Sequence, residues 1–375
     1  MIVSALTDVG RARTTNEDAF AVTDLASGRQ LEAAGHDLEV DVEEQGVLLA
    51  LSDGMGGHQA GEVASALVLE TLQVAMQGTP PGAIHEQLEE AVQRANRSVW
   101  SAAQTQNRRG MGATLTAIFV RGGEAYIAEV GDSRAYLLRK DRLRQITRDQ
   151  SLVQLMIDHG VMSAEEARRS ASRNVILQAV GLADDVRVAI ARLELRRGDR
   201  FLVCSDGITN AVEDEELRQI LTGSGPRAAC DTMVALANDR GGTDNQTAIV
   251  ADLDGEGLEP PDEFETVTST YEVLKAYEAS LGSDAAPSGG ARSGRAAAGA
   301  GPAAGAAGNV IAELPDLPSE DPAHTARPAP TAAAGDVAAD AGATMQLSRG
   351  VRTGTWIAVM VAVAAAVLIA ILLAR

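Results

Sequence analysis

The chain has only two cysteines, Cys204 and Cys230, in 375 residues. A disulfide-stapled secreted scaffold is therefore excluded, and a reducing compartment fits best. Positive charge is also scarce. Lys and Arg number 32 against 52 Asp and Glu, a net charge of −20. Binding along a phosphate backbone needs clustered Lys and Arg, so no nucleic-acid partner is expected. Aromatic residues make up only 3%, and residues 285–348 contain none. The opening stretch, MIVSALTDVGRARTTNEDAF, has no basic segment leading into a long apolar run, so no signal peptide is expected.

Apolar residues nevertheless reach 45%, enough for a sizeable core. Composition places that core in residues 1–254, where apolar runs alternate with helical patterns and Gly/Asp turns. Residues 255–284 form a separate piece. Within it, Tyr271, Val273, Leu274 and Tyr277 have helix-like spacing, which fits either a short docking helix or an interaction segment. Residues 285–355 read as a disordered linker, because their Ala/Gly/Pro-rich sequence buries too little apolar area to offset its ordering entropy. As a random coil such a linker spans on the order of 40–50 Å. Residues 356–374, WIAVMVAVAAAVLIAILLA, carry no charged or polar side chain. At 1.5 Å per residue they reach ~28 Å, about one hydrocarbon core. Trp356 opens this segment as an interfacial aromatic would, and it reads as one transmembrane helix. Arg349 and Arg352 precede it. The positive-inside bias then gives a single-pass protein of the cytoplasmic (inner) membrane whose large domain faces the cytoplasm.

Within 1–254, strand signals fall at Val3–Thr7, Ala19–Val22, Val47–Leu51, Thr114–Val120, Ala125–Val130, Ala135–Leu138, Val186–Leu193, Phe201–Cys204 and Thr247–Ala251. Helical spacing marks 62–74 and 84–103, then 213–221 and 226–238, with Pro226 suited to a first turn. Short turns such as Arg121-Gly122-Gly123 and Lys140-Asp141 join neighbouring strands, which implies antiparallel pairing. Runs of strands interrupted by paired helices predict an α+β sandwich rather than a parallel βαβ wind.

The chemistry concentrates in acids at strand ends. Three apolar runs, VLLALSDG, YIAEVGDS and FLVCSDG, each deliver an Asp to the point where the chain turns: Asp53, Asp132 and Asp206. Asn16-Glu17-Asp18 precedes a strand, and Gly242-Thr243-Asp244 precedes the last one. A single Asp-Gly at a strand end is usually only a turn. Several in one acidic domain suggest convergence, and converging carboxylates repel unless cations neutralise them. All-oxygen ligands suit Mg²⁺ or Mn²⁺, and two such ions can activate a shared water and stabilise a phosphoryl displacement. Gly54 would let its carbonyl approach an ion without Cβ interference. Arg13 can supply a bidentate fork for an incoming phosphate.

These residues lie in GRARTTNEDAF, LSDGMGGHQAGEVAS, GMGATLTAI, AEVGDSRAYLLR, ITRDQSLVQ, RNVILQAVG, CSDGITNAV and GGTDNQTAIV. In that order the motifs resemble the metal-dependent Ser/Thr protein phosphatases of type 2C, in their bacterial form. The resemblance covers about residues 1–253. It implies a four-layer α/β/β/α sandwich, two antiparallel sheets flanked by helix pairs, with a binuclear Mn²⁺ or Mg²⁺ site at one end. On this resemblance Asp53 bridges two ions, Asp206 and Asp244 ligate one, and the Gly54 carbonyl ligates the other. Glu17 and Asp18 hold waters on the ions, and Arg13 grips the phosphate. Asp132 with Asp206 would hold a third, weaker ion. Residues 149–181 correspond to a variable flap, and Asn174 would approach the third ion.

The chain departs from the family pattern at Gln150, where His is frequent, and at Leu177-Gln178, where Thr-Arg is frequent. Both bear on substrate preference rather than on the metal core. His58 follows the glycines, away from the position of the general acid proposed in animal relatives, and is kept as a residue supporting the ligands from behind. Cys204 and Cys230 are expected as buried thiols, Met55 and Met111 as packing under the site, and His36, His85, His159 and His324 as structural or solvated.

The expectation is a protein serine/threonine phosphatase, a phosphoric monoester hydrolase acting on phosphoserine and phosphothreonine proteins. Its implied partner is a cognate Ser/Thr protein kinase. The alternatives are a membrane-anchored pseudoenzyme scaffold that binds phosphoproteins without turnover, and an exported protein whose acidic turns bind Ca²⁺. Filled acidic positions count against the first. Arg13 and the missing export signal count against the second.

Overall fold

The computed structural model describes residues 1–279 apart from 43, 57–58, 81–82 and 105–109. They belong to the first of two units into which the chain divides, Met1–Leu314. The expected linker at 285–355 and the apolar segment at 356–374 lie outside the described residues. Among the described residues no helix is long and apolar enough to cross a membrane.

Two sheets form the centre, and every pairing between their strands is antiparallel. The first runs in the order β10 (Arg142–Gln145), β9 (Arg134–Arg139), β12 (Asp199–Cys204), β13 (Gln246–Leu253), β1 (Ile2–Asp8) and β4 (Leu38–Glu39). The second runs β14 (Tyr271–Lys275), β11 (Ala189–Glu194), β8 (Glu124–Val130), β7 (Leu115–Arg121), β5 (Val47–Met55), β2 (Asp18–Asp24) and β3 (Arg29–Gln30), with β6 (Gly112–Ala113) on β5.

Helices cover both outer faces. On the second sheet lie α1 (Gln59–Met76) and α2 (Ile84–Ala103); on the first lie α6 (Asp214–Gly223) and α7 (Pro226–Asp239). This double cover explains the continuous apolar runs of the central strands. Along β5, Leu48 and Ala50 pack toward the α1–α2 pair, while Val47, Leu49 and Leu51 enter the core between the sheets. Along β13, Ala248 and Val250 pack toward α6 and α7, and Ile249 and Ala251 face the inter-sheet core. Three apolar layers therefore separate four layers of structure, which is the expected α/β/β/α order.

The hairpin at Lys140-Asp141 turns through two left-handed residues, φ 50° and 59°, as a tight two-residue loop demands. Strand β11 is shorter than its sequence signal, beginning at Ala189 rather than Val186. The flap holds two short helices that apolar spacing does not announce, α3 (Leu152–Asp158) and α4 (Ala164–Arg169). Local capping defines them: Ser151 accepts from the Gln154 amide, and Ser163 forms a capping box with Glu166.

Residues 255–279 resolve the choice left open for their segment in another way. They contain one helical turn, α8 (Val267–Thr270), and then strand β14, which extends the second sheet beside β11. A buried cluster anchors this addition. Arg139 donates to both carboxylate oxygens of Asp199 (2.7 Å each) and to Thr270 Oγ1 (2.7 Å), and lies 3.6 Å from Glu265.

Candidate metal and phosphate site

The acids singled out in the sequence come to one end of the sandwich because strands from both sheets end there. Asp18 opens β2 directly opposite Asp53 on β5. Asp206 follows β12 at the start of α5 (Asp206–Thr209), Asp132 sits between β8 and β9, and Asp244 precedes β13.

Asp18 bridges the two sheets. Its Oδ2 accepts from Ser205 Oγ (2.8 Å) and Thr247 Oγ1 (2.7 Å), while Oδ1 has no hydrogen-bond partner. Burial is the main force raising its pKa to about 6, the two hydroxyls opposing it. Asp206 has a similar environment. Asn210 donates to its Oδ2 (3.1 Å), its buried Oδ1 has no partner, and burial followed by the charges of Asp132, Asp244 and Asp18 pushes its pKa well up. Asp53 is driven up by burial and by Asp18, Asp206, Asp132 and Asp244. Asp132 rises to about 7, through burial and then the charge of Asp149, with Arg134 opposing. The charge of Asp244 helps raise Asp18, Asp53, Asp132 and Asp206, which places the five in one electrostatic environment.

The backbone around Asp53 is fixed from three sides. Its amide donates to Thr114 Oγ1 (3.0 Å), and the Thr114 amide donates back to the Asp53 carbonyl (2.8 Å). Thr114 Oγ1 also meets Ser133 Oγ (2.9 Å), tying the Asp53 strand to the Asp132 turn. The Gly54 amide donates to the Glu17 carbonyl (3.0 Å). A Cβ at Gly54 would lie 2.1 Å from the Gly61 carbonyl oxygen. Glycine is thus required here for the close approach of α1, a reason the sequence pattern does not reveal.

Arg13 is held by a crossing of two loops. The Arg11 and Ala12 amides donate to the Gly242 carbonyl (2.7 and 3.0 Å). Gly10, at φ +79°, packs so closely that a Cβ would lie 2.2 Å from the Asp244 carbonyl oxygen. The Arg13 guanidinium consequently rests on Asp244, 2.8 Å from each carboxylate oxygen, and 3.9 Å from Glu17. Arg13 therefore faces an acid of the site, and its side chain keeps 47% of its surface exposed. Glu17 is buried, and its amide donates to Asn245 Oδ1 (2.8 Å). His58 lies outside the described residues.

Ser205, Thr247, Asn245, Thr114 and Ser133 are the positioning residues that reading the acids alone missed. The motifs CSDG, DNQT, GATLT and GDSR contain all of them. The departures from the family pattern also have a physical account. Gln150 Oε1 accepts from the Gly131 amide (2.8 Å) and from Gln178 Nε2 (2.7 Å), so the two altered positions satisfy each other. Asn174 is exposed. Both thiols are buried, and burial pushes the Cys230 pKa up to about 12.

The donor set suits hard divalent cations: carboxylates only, crowded enough to raise each other's pKa, with the buried Asp18 Oδ1 and Asp206 Oδ1 lacking partners. Among the described residues no three His, Cys, Asp or Glu side chains are already grouped so as to hold an ion. Arg13 and the Asn245 amide occupy Asp244, and Ser205 and Thr247 occupy one oxygen of Asp18.

A family model described as protein phosphatase 2C matches residues 34–238, over half of the chain. The chain belongs to the protein phosphatase 2C family. Among curated relatives, the serine/threonine protein phosphatase PstP of Mycobacterium tuberculosis is 40% identical over 207 residues, covering 55% of this chain and 40% of that protein. The match thus spans less than half of that relative's length. Protein phosphatase PhpP of Streptococcus pneumoniae is 33% identical over 263 residues, covering 69% of this chain and 100% of PhpP. Among solved structures, the M. tuberculosis PstP/Ppp phosphatase superposes with a TM-score of 0.59 at 35% identity, covering 68% of this chain and 100% of that one. The PstP catalytic domain in complex with two manganese ions matches with a TM-score of 0.57 at 34% identity, covering the same shares. This membership agrees with the two-sheet architecture and with the oxygen-only donor set.

Proposed function

We propose that this chain is a metal-dependent protein serine/threonine phosphatase that hydrolyses phosphoserine and phosphothreonine, using two Mn²⁺ or Mg²⁺ ions. The observation that carries this reading is the set of four aspartates, Asp18, Asp53, Asp132 and Asp206, raised by burial and neighbouring carboxylates at one end of the sandwich, with Asp244 and Arg13 beside them. Asp53, Asp206, Asp244 and the Gly54 carbonyl would hold the two ions, and Asp132 with Asp206 a weaker third. Bound there, the ions supply an activated water and neutralise charge on the phosphoryl oxygens.

The chain's own groups do the rest. Asp18 is held by Ser205 and Thr247 with its buried Oδ1 left without a hydrogen-bond partner, and would use that oxygen to hold a water of the site. Glu17, with its backbone fixed by Asn245, Gly54 and Ser65, lends its carboxylate to orienting the attacking water. Arg13 can leave Asp244 for the stronger charge of a phosphate dianion and clamp it through two parallel N–H···O bonds. Water then attacks phosphorus in line; the new P–O bond forms as the bond to the serine or threonine oxygen breaks, a proton from the water passes through solvent to that oxygen, and no phosphoenzyme forms.

The test is hydrolysis of p-nitrophenyl phosphate and of a phosphothreonine peptide. Both require Mn²⁺ or Mg²⁺, and Asp206→Asn lowers kcat by about 10² or more, a loss of ~2.7 kcal/mol in transition-state stabilisation. Arg13→Ala chiefly raises KM. Activity that survives both EDTA and Asp206→Asn contradicts the proposal.

The finer placement is proposed from the sequence: a single-pass anchor at 356–374 in the cytoplasmic membrane, the catalytic domain on the cytoplasmic side, and a cognate Ser/Thr kinase as partner. The long uncharged run and the flanking Arg349 and Arg352 support it.

A further inference from the structure

The flap is closed at its base and seated on the site. The Leu152 amide donates to the Val175 carbonyl (2.8 Å) and the Leu177 amide to the Gln150 carbonyl (2.7 Å), so its two stems run side by side. The Gln150 amide donates to the Gly131 carbonyl (2.8 Å), and Gln150 Oε1 accepts from the Gly131 amide (2.8 Å). Gln150 thereby fixes the residue before Asp132. At the other stem, the Val180 amide donates to the Ala113 carbonyl (2.8 Å) and the Ala113 amide to the Val180 carbonyl (3.0 Å). Ala113 in turn lies opposite Gly54. The flap therefore stands on two backbone segments that carry candidate ion ligands.

Residues 271–278, strand β14 and its continuation, form a strap that reaches both stems. Tyr271 Oη donates to the Ile146 carbonyl (2.8 Å), just ahead of Gln150. Arg187 Nη1 donates to the Glu278 carbonyl (2.7 Å). The Arg187 amide donates to Gln178 Oε1 (3.1 Å), and Gln178 Nε2 donates to Gln150 Oε1 (2.7 Å). A continuous run of hydrogen bonds thus leads from the end of the strap through Arg187, Gln178 and Gln150 to the Gly131–Asp132 turn. The strap itself is fixed by pairing with β11 and by the bond from Arg139 to Thr270. A cavity of about 450 Å³ is lined by Leu155 of α3 and the adjoining His159, and by Val273 and Tyr277 of the strap. With open volume there, the bonds at the stems and not the packing of α3 decide where the flap sits.

We propose that Tyr271 and Arg187 are positioning residues that hold the flap by its stems, and that the flap so held contributes to binding a phosphoprotein but not a small phosphate ester. This inference rests on the phosphatase reading. A phosphopeptide in the site runs past the segments on which the flap stands, whereas p-nitrophenyl phosphate ends at its ring. The flap offers the peptide Val161 and Val175, large apolar side chains left exposed. A loosened flap must be ordered when the peptide binds, and that entropy weakens binding. The chemistry at phosphorus does not include this cost, so the effect falls on KM rather than on kcat.

The test uses the full chain in detergent, with Tyr271→Phe, Arg187→Met and the double variant. Each substitution removes one hydrogen bond and keeps most of the side chain's bulk. In the double variant, hydrogen exchange across 152–177 speeds up by about fivefold or more, the scale of two ordinary hydrogen bonds, while that of α7 is unchanged. KM for a phosphothreonine peptide rises by a similar factor, and kcat/KM for p-nitrophenyl phosphate stays within about twofold of the wild type. Unchanged exchange in the flap, or equal losses on the two substrates, would overturn the proposal while leaving the phosphatase reading intact. Hydrolysis of neither substrate by the wild type would overturn that reading, and this inference with it.

Discussion

Asp18 shows how much of this site is electrostatics imposed by the fold. A carboxylate between two sheets, bonded to two hydroxyls and facing Asp53, is displaced to a pKa of about 6, and Asp132 to about 7. Both values lie above the ordinary range of aspartate, so protonation favours the folded state. Their stabilising contribution is complete at pH below about 4 and is lost as pH rises through 6 and 7. Metal-stripped protein is therefore expected to melt higher at pH 5.5 than at pH 8, by about 2–4 °C for each kcal/mol recovered. Saturating Mn²⁺ should remove or reverse the trend, since ions bind the deprotonated acids. Thermal melts at the two pH values, with and without Mn²⁺, check this. At the same scale the acids were legible in the sequence, because each ends an apolar run or begins a strand. Their supports were not. Ser205 and Thr247 are 187 and 229 residues from Asp18, and the Arg13–Asp244 contact spans 231. Separations of that size exist only after folding.

Among the elements, those with cover on both faces were readable and those held by particular contacts were not. Strands β5, β7, β12 and β13 and the four long helices follow from apolar runs and 3.6-residue spacing. Flap helices α3 and α4 have seven and six residues, too short for periodicity to register, and rest on serine caps. Strand β14 was hidden because Tyr271, Leu274 and Tyr277 also suit a helix. Its conformation comes from pairing with β11 and from the Arg139–Asp199 cluster nearby. Arg139 is 2% exposed and Asp199 is fully buried, so Asp199→Ala would leave a buried guanidinium without its main partner. We expect a loss of about 3–5 kcal/mol. Hydrogen exchange should rise first across 262–275. Unchanged melting temperature and unchanged protection there would contradict this role.

For the whole molecule, a net charge of −20 and a long uncharged run at 356–374 support the proposal of an acidic domain anchored to a membrane. The fold class was legible at this scale because short turns between strands and paired helices leave few alternatives. The proposed orientation at a membrane rests on sequence outside the described residues. A chain lacking 349–375 is expected to move from the membrane to the soluble fraction while hydrolysing p-nitrophenyl phosphate at an unchanged rate. Its dephosphorylation of membrane-bound substrates should fall. Retention in the membrane fraction would contradict the anchor.

The claim on which the rest depends is that Asp53, Asp206 and Asp244 gather divalent ions. Crystals grown in Mn²⁺ and measured at the manganese absorption edge test it directly. The account predicts two anomalous peaks at this end of the sandwich, with Asp53 oxygens within roughly 2–2.5 Å of both, the range of hard-cation coordination. Peaks elsewhere, or none despite Mn²⁺-dependent activity, would contradict it.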